Sequence, residues 1–358
     1  MAKKRKTLPK DFSEILERGD IQEIISVFDK CEIDATGGYG NQTALAFPKC
    51  PPELDKWLVE QGLNIETVNQ YSYTPLQHRA GYDIANIKSL IDLGADISIN
   101  NKNGTPLHCA AKDHAVKNVK ILIEHGTEVN GLTSESITYD DDDKGSSPLE
   151  LALYFCRNID IVNTVKIVRL LLDAGATISE KAKGMVTKIG TEFEFHRARF
   201  NPESVKEFSD ALRELYDLFA VSPVPRRVLH DGKSPITAKA GTWQTQHNEL
   251  WELLVPSGGP AQTMQGEVIR ISGRILNELE GNGGINWDSD FKVMADTFLE
   301  FVQQGQSLPE EDITELSKVV SEVKRKIDAN ARRLAELGVK WVLNNPAPIT
   351  LQPVNYDR

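Results

Sequence analysis

The residues best equipped for chemistry gather in a few places. Asp140, Asp141, Asp142 and Asp143 stand in succession beside Tyr139, and Lys144 offsets only one of their charges. Carboxylates this dense attract a cation or a basic surface. Calcium is the weaker reading, because a calcium loop alternates its ligands, turns on a glycine at its sixth position and ends on a bidentate glutamate. Glu267, Arg270, Arg274 and Glu278 share one stripe of a helix. An active-site strip fits that spacing, but ion pairs on a helix surface are the expectation. Asp288 and Asp290 follow a glycine turn and read as an N-cap and a first-turn acid. His108 reads as a structural residue and His247 as polar surface. Cys31, Cys50, Cys109 and Cys156 lie far apart, with no CxxC and no Cys/His spacing for zinc. They read as buried small hydrophobes in a reducing compartment. No GxSxG, P-loop, HExxH or strand-following GxGxxG occurs. These residues predict no enzyme, no cofactor and no metal.

The elements that must carry these groups show themselves as a repeat. Thr43-Ala-Leu45, Thr74-Pro-Leu76, Thr105-Pro-Leu107 and Ser147-Pro-Leu149 open four similar blocks. The leucines step by 31, 31 and 42 residues, so about eleven residues are inserted before the last block. Each block closes on a related phrase: WLVEQGLNI, SLIDLGADI, ILIEHGTEV, RLLLDAGATI. Proline in a first helical turn loses no hydrogen bond, and Gly62, Gly94, Gly126 and Gly175 fall where a helix ends in a left-handed residue. Each block therefore reads as helix, turn, helix and a hairpin loop. One such pair cannot bury its apolar face alone, so neighbours must stack.

This pattern resembles the ankyrin repeat over about residues 10–180. Its TPLH signature is intact only at Thr105-Pro106-Leu107-His108; Ala46, Gln77 and Glu150 replace the histidine elsewhere, which puts hydrogen bonding between repeats in doubt there. FSEILERGDIQEIISVFDKCEID lacks the proline motif and looks like an N-terminal cap, giving about five repeats. The fold class expected is all-α: an ankyrin-type helical solenoid with β-hairpin-like loops, then a C-terminal helical bundle. The resemblance implies binding on a concave face built from hairpin tips and the starts of first helices. Those places hold Gln70, Tyr71, Tyr73 and Tyr82, then Asn101, Lys102, Lys112 and Asp113, then Tyr154; Phe155 reads as core. Exposed tyrosines give large rigid contacts at low entropic cost. The insertion Gly131–Ser147 carries Tyr139 and Asp140–Asp143 in a finger of the same face, where long loops are functional.

The rest of the chain reads as follows. Residues 1–9 form a basic disordered tail, where Lys3, Lys4, Arg5 and Lys6 are solvated rather than a nucleic-acid arm. Residues 181–221 are a capping segment, irregular over 181–200 and helical after the N-cap Asn201. Residues 222–235, with three prolines, are a linker. Residues 236–358 are a bundle with helices near 242–255, 261–281, 288–304, 309–326 and 327–344, holding four of the five tryptophans.

The chain has a net charge of −11, and residues 1–180 carry 19 basic against 27 acidic side chains. Such a surface repels nucleic acid and anionic membranes and favours a basic protein. The start, MAKKRKTLPKDF, is no secretory leader, and no apolar run reaches the roughly 18 residues of a span. The function expected is a cytoplasmic protein-binding protein, in its concrete form an immunity- or antitoxin-type inhibitor of a basic toxin. The alternatives are an effector or enzyme whose repeats target an active C-terminal domain, and a scaffold that self-associates through 236–358.

Overall fold

A computed structural model describes residues 3–136, 145–326 and 331–358. The chain divides into two compact units: Met1–Phe193 with Asn201–Val224, and Glu194–Phe200 with Pro225–Arg358.

The first unit begins with a strand. β1 (Arg5–Thr7) runs parallel to β2 (Cys31–Gly37), which pairs antiparallel with β3 (Gln42–Thr43). The expected disordered tail is thus partly a strand. Its amphipathic anchor is Leu8, buried over Gly37, and the Lys4 ammonium donates to the Phe28 carbonyl at 2.6 Å. Three residues of strand are too short to leave a periodic signal, and the run of lysines masks them. Between β1 and β2 lie α1 (Phe12–Arg18) and α2 (Ile21–Lys30), the helix pair expected of the cap. Asp20 caps α2 by accepting from the Gln22 and Glu23 amides.

The repeats follow. The second block keeps only a 3-10 turn at Ala44–Ala46 as its first helix, because Pro48, Pro51 and Pro52 stop a longer one, and then forms α3 (Pro52–Glu60). α4 (Pro75–Ala80) and α5 (Ile87–Asp92), α6 (Pro106–Lys112) and α7 (Val116–Glu124), and α8 (Pro148–Tyr154) and α9 (Ile161–Asp173) are the next three pairs. First helices stack as α4 on α6 on α8; among second helices α3 meets α5 and α7 meets α9. The leucines of the motif (Leu45, Leu76, Leu107 and Leu149) are fully buried between neighbours.

Residues 180–196 correct the sequence reading: they form α10 (Glu180–His196), not irregular chain. The stripe is weak because two glycines interrupt it. Gly190 is nonetheless required, since a Cβ there would strike the Tyr216 hydroxyl and Val224. α11 (Pro202–Phe219) starts at the N-cap Asn201 as expected and buries Leu212, Leu215, Tyr216 and Phe219, packing on α9.

The second unit is helical: α12 (Trp243–Leu254), α13 (Met264–Leu276), α14 (Ser289–Phe301), α15 (Glu310–Lys324) and α16 (Ala331–Asn344). α13 and α16 form its centre, where Val268, Ile271, Phe298, Leu334 and Trp341 are buried. A π turn at Asn277–Gly281 prolongs α13. Among the described residues no helix is long and apolar enough to cross a membrane.

Candidate functional site

The hairpin tips of the repeats are built by one device used three times. Asn69 accepts the Tyr71 and Tyr73 amides on its side-chain oxygen, at 2.9 and 3.1 Å. Asn101 accepts the Asn103 amide at 2.9 Å. Thr133 takes the third place, one repeat further on, where its hydroxyl accepts the Ser146 amide at 3.0 Å and its own amide donates to the Ser146 carbonyl. Asn69 also pairs its amide with the Tyr73 carbonyl, so Ser146 answers to Tyr73. The finger is closed over 13 residues instead of 4, with the same pair of contacts at its base.

The fourth position of the last three motifs ties one repeat to the next. In α4, α6 and α8 the cap residue (Thr74, Thr105, Ser147) and the residue three later (Gln77, His108, Glu150) bond each other's backbone reciprocally. The far end of that residue then reaches onward. Gln77 donates to the Gly104 carbonyl at 2.5 Å. The His108 ring nitrogen Nε2 lies 3.0 Å from both the Gly131 and the Ser146 carbonyls, spanning the two ends of the insertion. Its other nitrogen accepts the Thr105 amide at 3.1 Å, so the neutral ring donates from Nε2. Burial holds its pKa down to about 4 and keeps it neutral. Glu150 accepts the Ser179 hydroxyl at 2.6 Å. At Gln77 and Glu150 the departure from histidine thus changes the donor and acceptor, not the link; Ala46 has no such group, and there the His78 ring of the next repeat bonds the Ala46 carbonyl instead.

Between α3, α4 and α5 sits a buried ion pair. Arg79 holds Asp55 with two nitrogens at 2.8 and 2.6 Å, and both side chains have 0% exposure. Ser89 donates to the same carboxylate at 2.5 Å and the Cys50 thiol at 3.0 Å, and burial pushes that thiol's pKa well up. Nothing in the spacing marked this pair.

On this scaffold the aromatic side chains meet. Tyr71 and Tyr82 are exposed at 40% and 45%, and Tyr39 at 79% stacks on Tyr71 with ring centroids 5.4 Å apart. Gly40 permits the stack: its φ is +86°, and a Cβ would lie 3.1 Å from the Tyr71 ring. His78, bonded to the Ala46 carbonyl, links Tyr73 at 6.2 Å to Tyr82 at 5.4 Å. Burial pushes the half-buried Tyr73 phenol up to about 12, with Asp113, Tyr82 and Tyr39 near enough to add to the shift. Hydrogen bonding with Tyr71 raises that of Tyr39.

A cleft of about 500 Å³ adjoins, lined by Lys112, Asp113, His114, Tyr154, Phe155 and Arg157. Lys112 lies over the Phe155 ring at 5.2 Å, and Tyr154 packs edge-on against Phe155 at 5.1 Å. Phe155, expected in the core, is only half-buried and walls this cleft, because it caps α8 rather than facing α9. Asp113 rests against Gly81, where any Cβ would collide with its carboxylate, and burial raises its pKa.

The expected contact residues therefore separate into groups. Tyr71, Tyr73 and Tyr82 come together; so do Lys112, Asp113 and Tyr154. Gln70 is exposed beside them and accepts from Asn41 at 3.1 Å, and Lys102 is exposed at its hairpin tip. The Asn101 amide ties its hairpin to the preceding one, donating to the Ser72 carbonyl at 2.7 Å. Tyr139 and Asp140–Asp143 lie outside the described residues. Tyr39 is absent from the residues singled out by sequence; it stands one place off the position a repeat step before Tyr71.

The second unit corrects two expectations. Glu267 and Arg270 are not surface ion pairs but fully buried, with Arg270 bonding Glu267 at 2.6–3.0 Å. The Tyr356 hydroxyl donates to Glu267 at 2.6 Å and the Ala261 amide at 2.7 Å, which satisfies the carboxylate in the interior. His247 is also buried; it bonds Ser272 at 3.0 Å, and burial lowers its pKa to about 4. Asp288 caps α14 as expected, accepting from the Asp290 and Phe291 amides. Among the described residues no cluster of three histidine, cysteine or acidic side chains is placed to hold a metal.

No curated protein matches the chain. A family model for ankyrin repeats, in three copies, matches residues 44–133 and 81–182, and residues 225–358 match no family model. Residues 44–182, with their stacked helix pairs, capped motifs and outward fingers, are ankyrin repeats, a module that serves protein–protein interaction.

Proposed function

We propose that this protein clamps one basic protein partner on the ankyrin face, with the exposed run Tyr39–Tyr71–Tyr82 as the anchor. That run is the observation carrying the reading: three tyrosines at 40–79% exposure, Tyr39 stacked on Tyr71, whose amide Asn69 accepts, and Tyr82 packed against His78, form a contact surface with little entropy left to lose. The cleft at Lys112, Asp113 and Tyr154 extends it. Gln70, Asn101 and Lys102 make its rim. Tyr139 and Asp140–Asp143 supply the charge that selects a basic surface and speeds encounter.

In its concrete form the partner is a basic toxin, such as a nuclease, and this chain is its immunity- or antitoxin-type inhibitor in the cytoplasm. The acidic balance of residues 1–180 and four free cysteines support that setting. The direct experiment is binding of the full chain to the product of the neighbouring gene, with affinity and association rate measured by surface plasmon resonance at two salt concentrations. Tyr71→Ala and Tyr82→Ala should each weaken binding by at least about tenfold. Replacing Asp140–Asp143 by serine should lower the association rate and its salt dependence. Unchanged affinity in both tyrosine variants refutes the anchor. Unchanged salt dependence removes the finger from the mechanism.

A second reading, an effector in which the repeats target and the second unit acts, is favoured by one observation. That unit contains a cavity of about 770 Å³ lined by arginines and aromatic rings.

A further inference from the structure

That cavity lies wholly in the second unit and stands apart from the ankyrin surface in its chemistry. Its walls are of two kinds. Phe195 and Trp251 lie nearly parallel, with centroids 6.4 Å apart and planes at 10°, and Phe291 stands under the Arg358 guanidinium at 4.9 Å. Gly273 makes room for Trp251, since a Cβ on that residue of α13 would overlap the indole. The same lining holds Arg199, Arg274 and Arg358, with the amides of Asn248 and Asn277 and the carboxylates Glu278 and Glu280.

The charges do not cancel where they stand. Glu278 is already bonded by Asn282 at 3.0 Å and by the Asn286 amide at 2.6 Å. Glu280 is paired with Arg332 at 2.7 Å, and Arg358 with Asp288. Among the described residues Arg199 reaches only a carbonyl, that of Ser257 at 3.0 Å. Arg274 has neither an ion pair nor a side-chain hydrogen bond among the described residues. Burial and the charges of Arg270, Arg358 and Arg199 lower its pKa. His247, neutral above about pH 4, adds no charge to this wall. Two guanidinium groups in one cavity thus lack a carboxylate partner. A π turn, Asn277–Gly281, contributes to the lining, and such turns are frequent at functional sites.

We propose that this cavity binds a small phosphate monoester carrying a flat ring, the dianion held by Arg199 and Arg274 and the ring laid against Trp251 and Phe195. The two unpaired guanidinium groups outnumber Glu278, the one lining carboxylate bonded by amides and not by a cation, so the cavity keeps a net positive charge that attracts an anion, and their planar donor forks match phosphate oxygens in shape. The volume suits a ligand of nucleotide size, since small-molecule sites run from about 300 to 1,000 Å³. Asn248 and Asn277 offer donors and acceptors to ring edges. This site is independent of the ankyrin face, so either can fail without the other.

The test is calorimetry on the full chain. The probes are adenosine, guanosine, cytidine and uridine monophosphate and pyridoxal phosphate, with adenosine, inorganic phosphate and benzoate as controls. At least one ring-bearing monoester should bind with a Kd below about 0.1 mM, and each control about tenfold or more weakly than it. Arg274→Gln and Arg199→Gln should each weaken that binding by about tenfold or more. Arg199 is exposed, so its variant keeps the test decisive should Arg274→Gln unfold in a thermal melt. The proposal is overturned if no monoester binds, if inorganic phosphate binds as tightly (an adventitious ion only), if benzoate binds best, or if a folded arginine variant binds like the parent.

Discussion

His108→Gln should remove an acid sensitivity from the repeats while leaving their architecture alone. Gln77 shows what glutamine does at this place: its oxygen accepts the Thr74 amide at 2.9 Å and its nitrogen reaches the next finger. At position 108 it would accept from Thr105 and donate toward Gly131 and Ser146, with no proton to gain. The histidine differs in its titration, because burial lowers its pKa from 6.5 to about 4. The unfolded chain therefore takes up a proton before the folded one, and protonation favours unfolding. The stability at stake is intact above about pH 6.5, erodes as the pH falls, and is fully lost near pH 4. At 1.36 kcal/mol per pKa unit the whole effect is about 3 kcal/mol, of which about 2.5 kcal/mol is gone at pH 4.5. Urea unfolding of both proteins by circular dichroism, at about pH 7.5 and 4.5, gives the difference between them. His78 and His114, whose pKa values burial also lowers, are common to both and cancel. Hydrogen exchange at the α6 amides assigns the effect to this repeat. Parallel stability curves across that range would refute the reasoning, since the ring would then not be held neutral by its place between two carbonyls.

Other perturbations test the remaining links. Arg79→Met should cost about 3–5 kcal/mol by leaving the Asp55 carboxylate buried and unpaired, and adding Asp55→Leu should restore much of it; a double variant no more stable than the single would deny that the charge is the cause. Gly190→Ala should destabilise the first unit by about 1–3 kcal/mol through the clash with Tyr216, with Tyr216→Phe relieving part of it in the same melt. Thr105→Ala removes the cap of α6 and should cost about 1 kcal/mol, read as faster exchange of the first-turn amides; unchanged exchange there would show the capping box to be idle.

How far the sequence speaks depends on whether a residue's role is local. The repeat was legible because proline, the capped threonine and the closing glycine act within one turn of their own helix. The bundle helices were legible for the same reason: α14 begins after Asp288 and α12 after Thr242, where the caps stand. Residues whose meaning depends on a distant neighbour were not. α10 contains two glycines, and only the nearness of Tyr216 turns Gly190 from a helix weakness into a packing requirement. Glu267 and Arg270 look like surface charges until Tyr356 and Ala261 are brought to them from 89 and 6 residues away. His247 is buried because Ser272, on another helix, offers it a partner. The site divides in the same way. Tyr71, Tyr73 and Tyr82 follow from their place in the repeat, whereas carrying Tyr71's register one repeat back lands on Gly40, so Tyr39 is not marked by it. The Arg199 and Arg274 pair has no such signal, because Arg199 reaches the cavity from a segment before the linker.

The insertion shows why an ankyrin array can acquire a new loop without losing its stack. A finger must return the chain to the start of the next first helix, and that return is set by the contacts at its base rather than by its length. Thr133 and Ser146 make the contact that Asn69 and Tyr73 make, and His108 holds both strands of the base from below through Gly131 and Ser146. Once the base is closed, lengthening the loop adds only a slowly growing entropic cost, about 0.6 kcal/mol for each doubling. The same link has a consequence for recognition. Residues carried on this finger are anchored to α6 through one histidine, so weakening that histidine's hydrogen bonds by acid or by His108→Ala should loosen partner binding through the finger while leaving contacts at Tyr71 and Tyr82 in place. A loss of affinity in His108→Ala that persists after Asp140–Asp143 are replaced by serine would show that the histidine acts on the whole array instead.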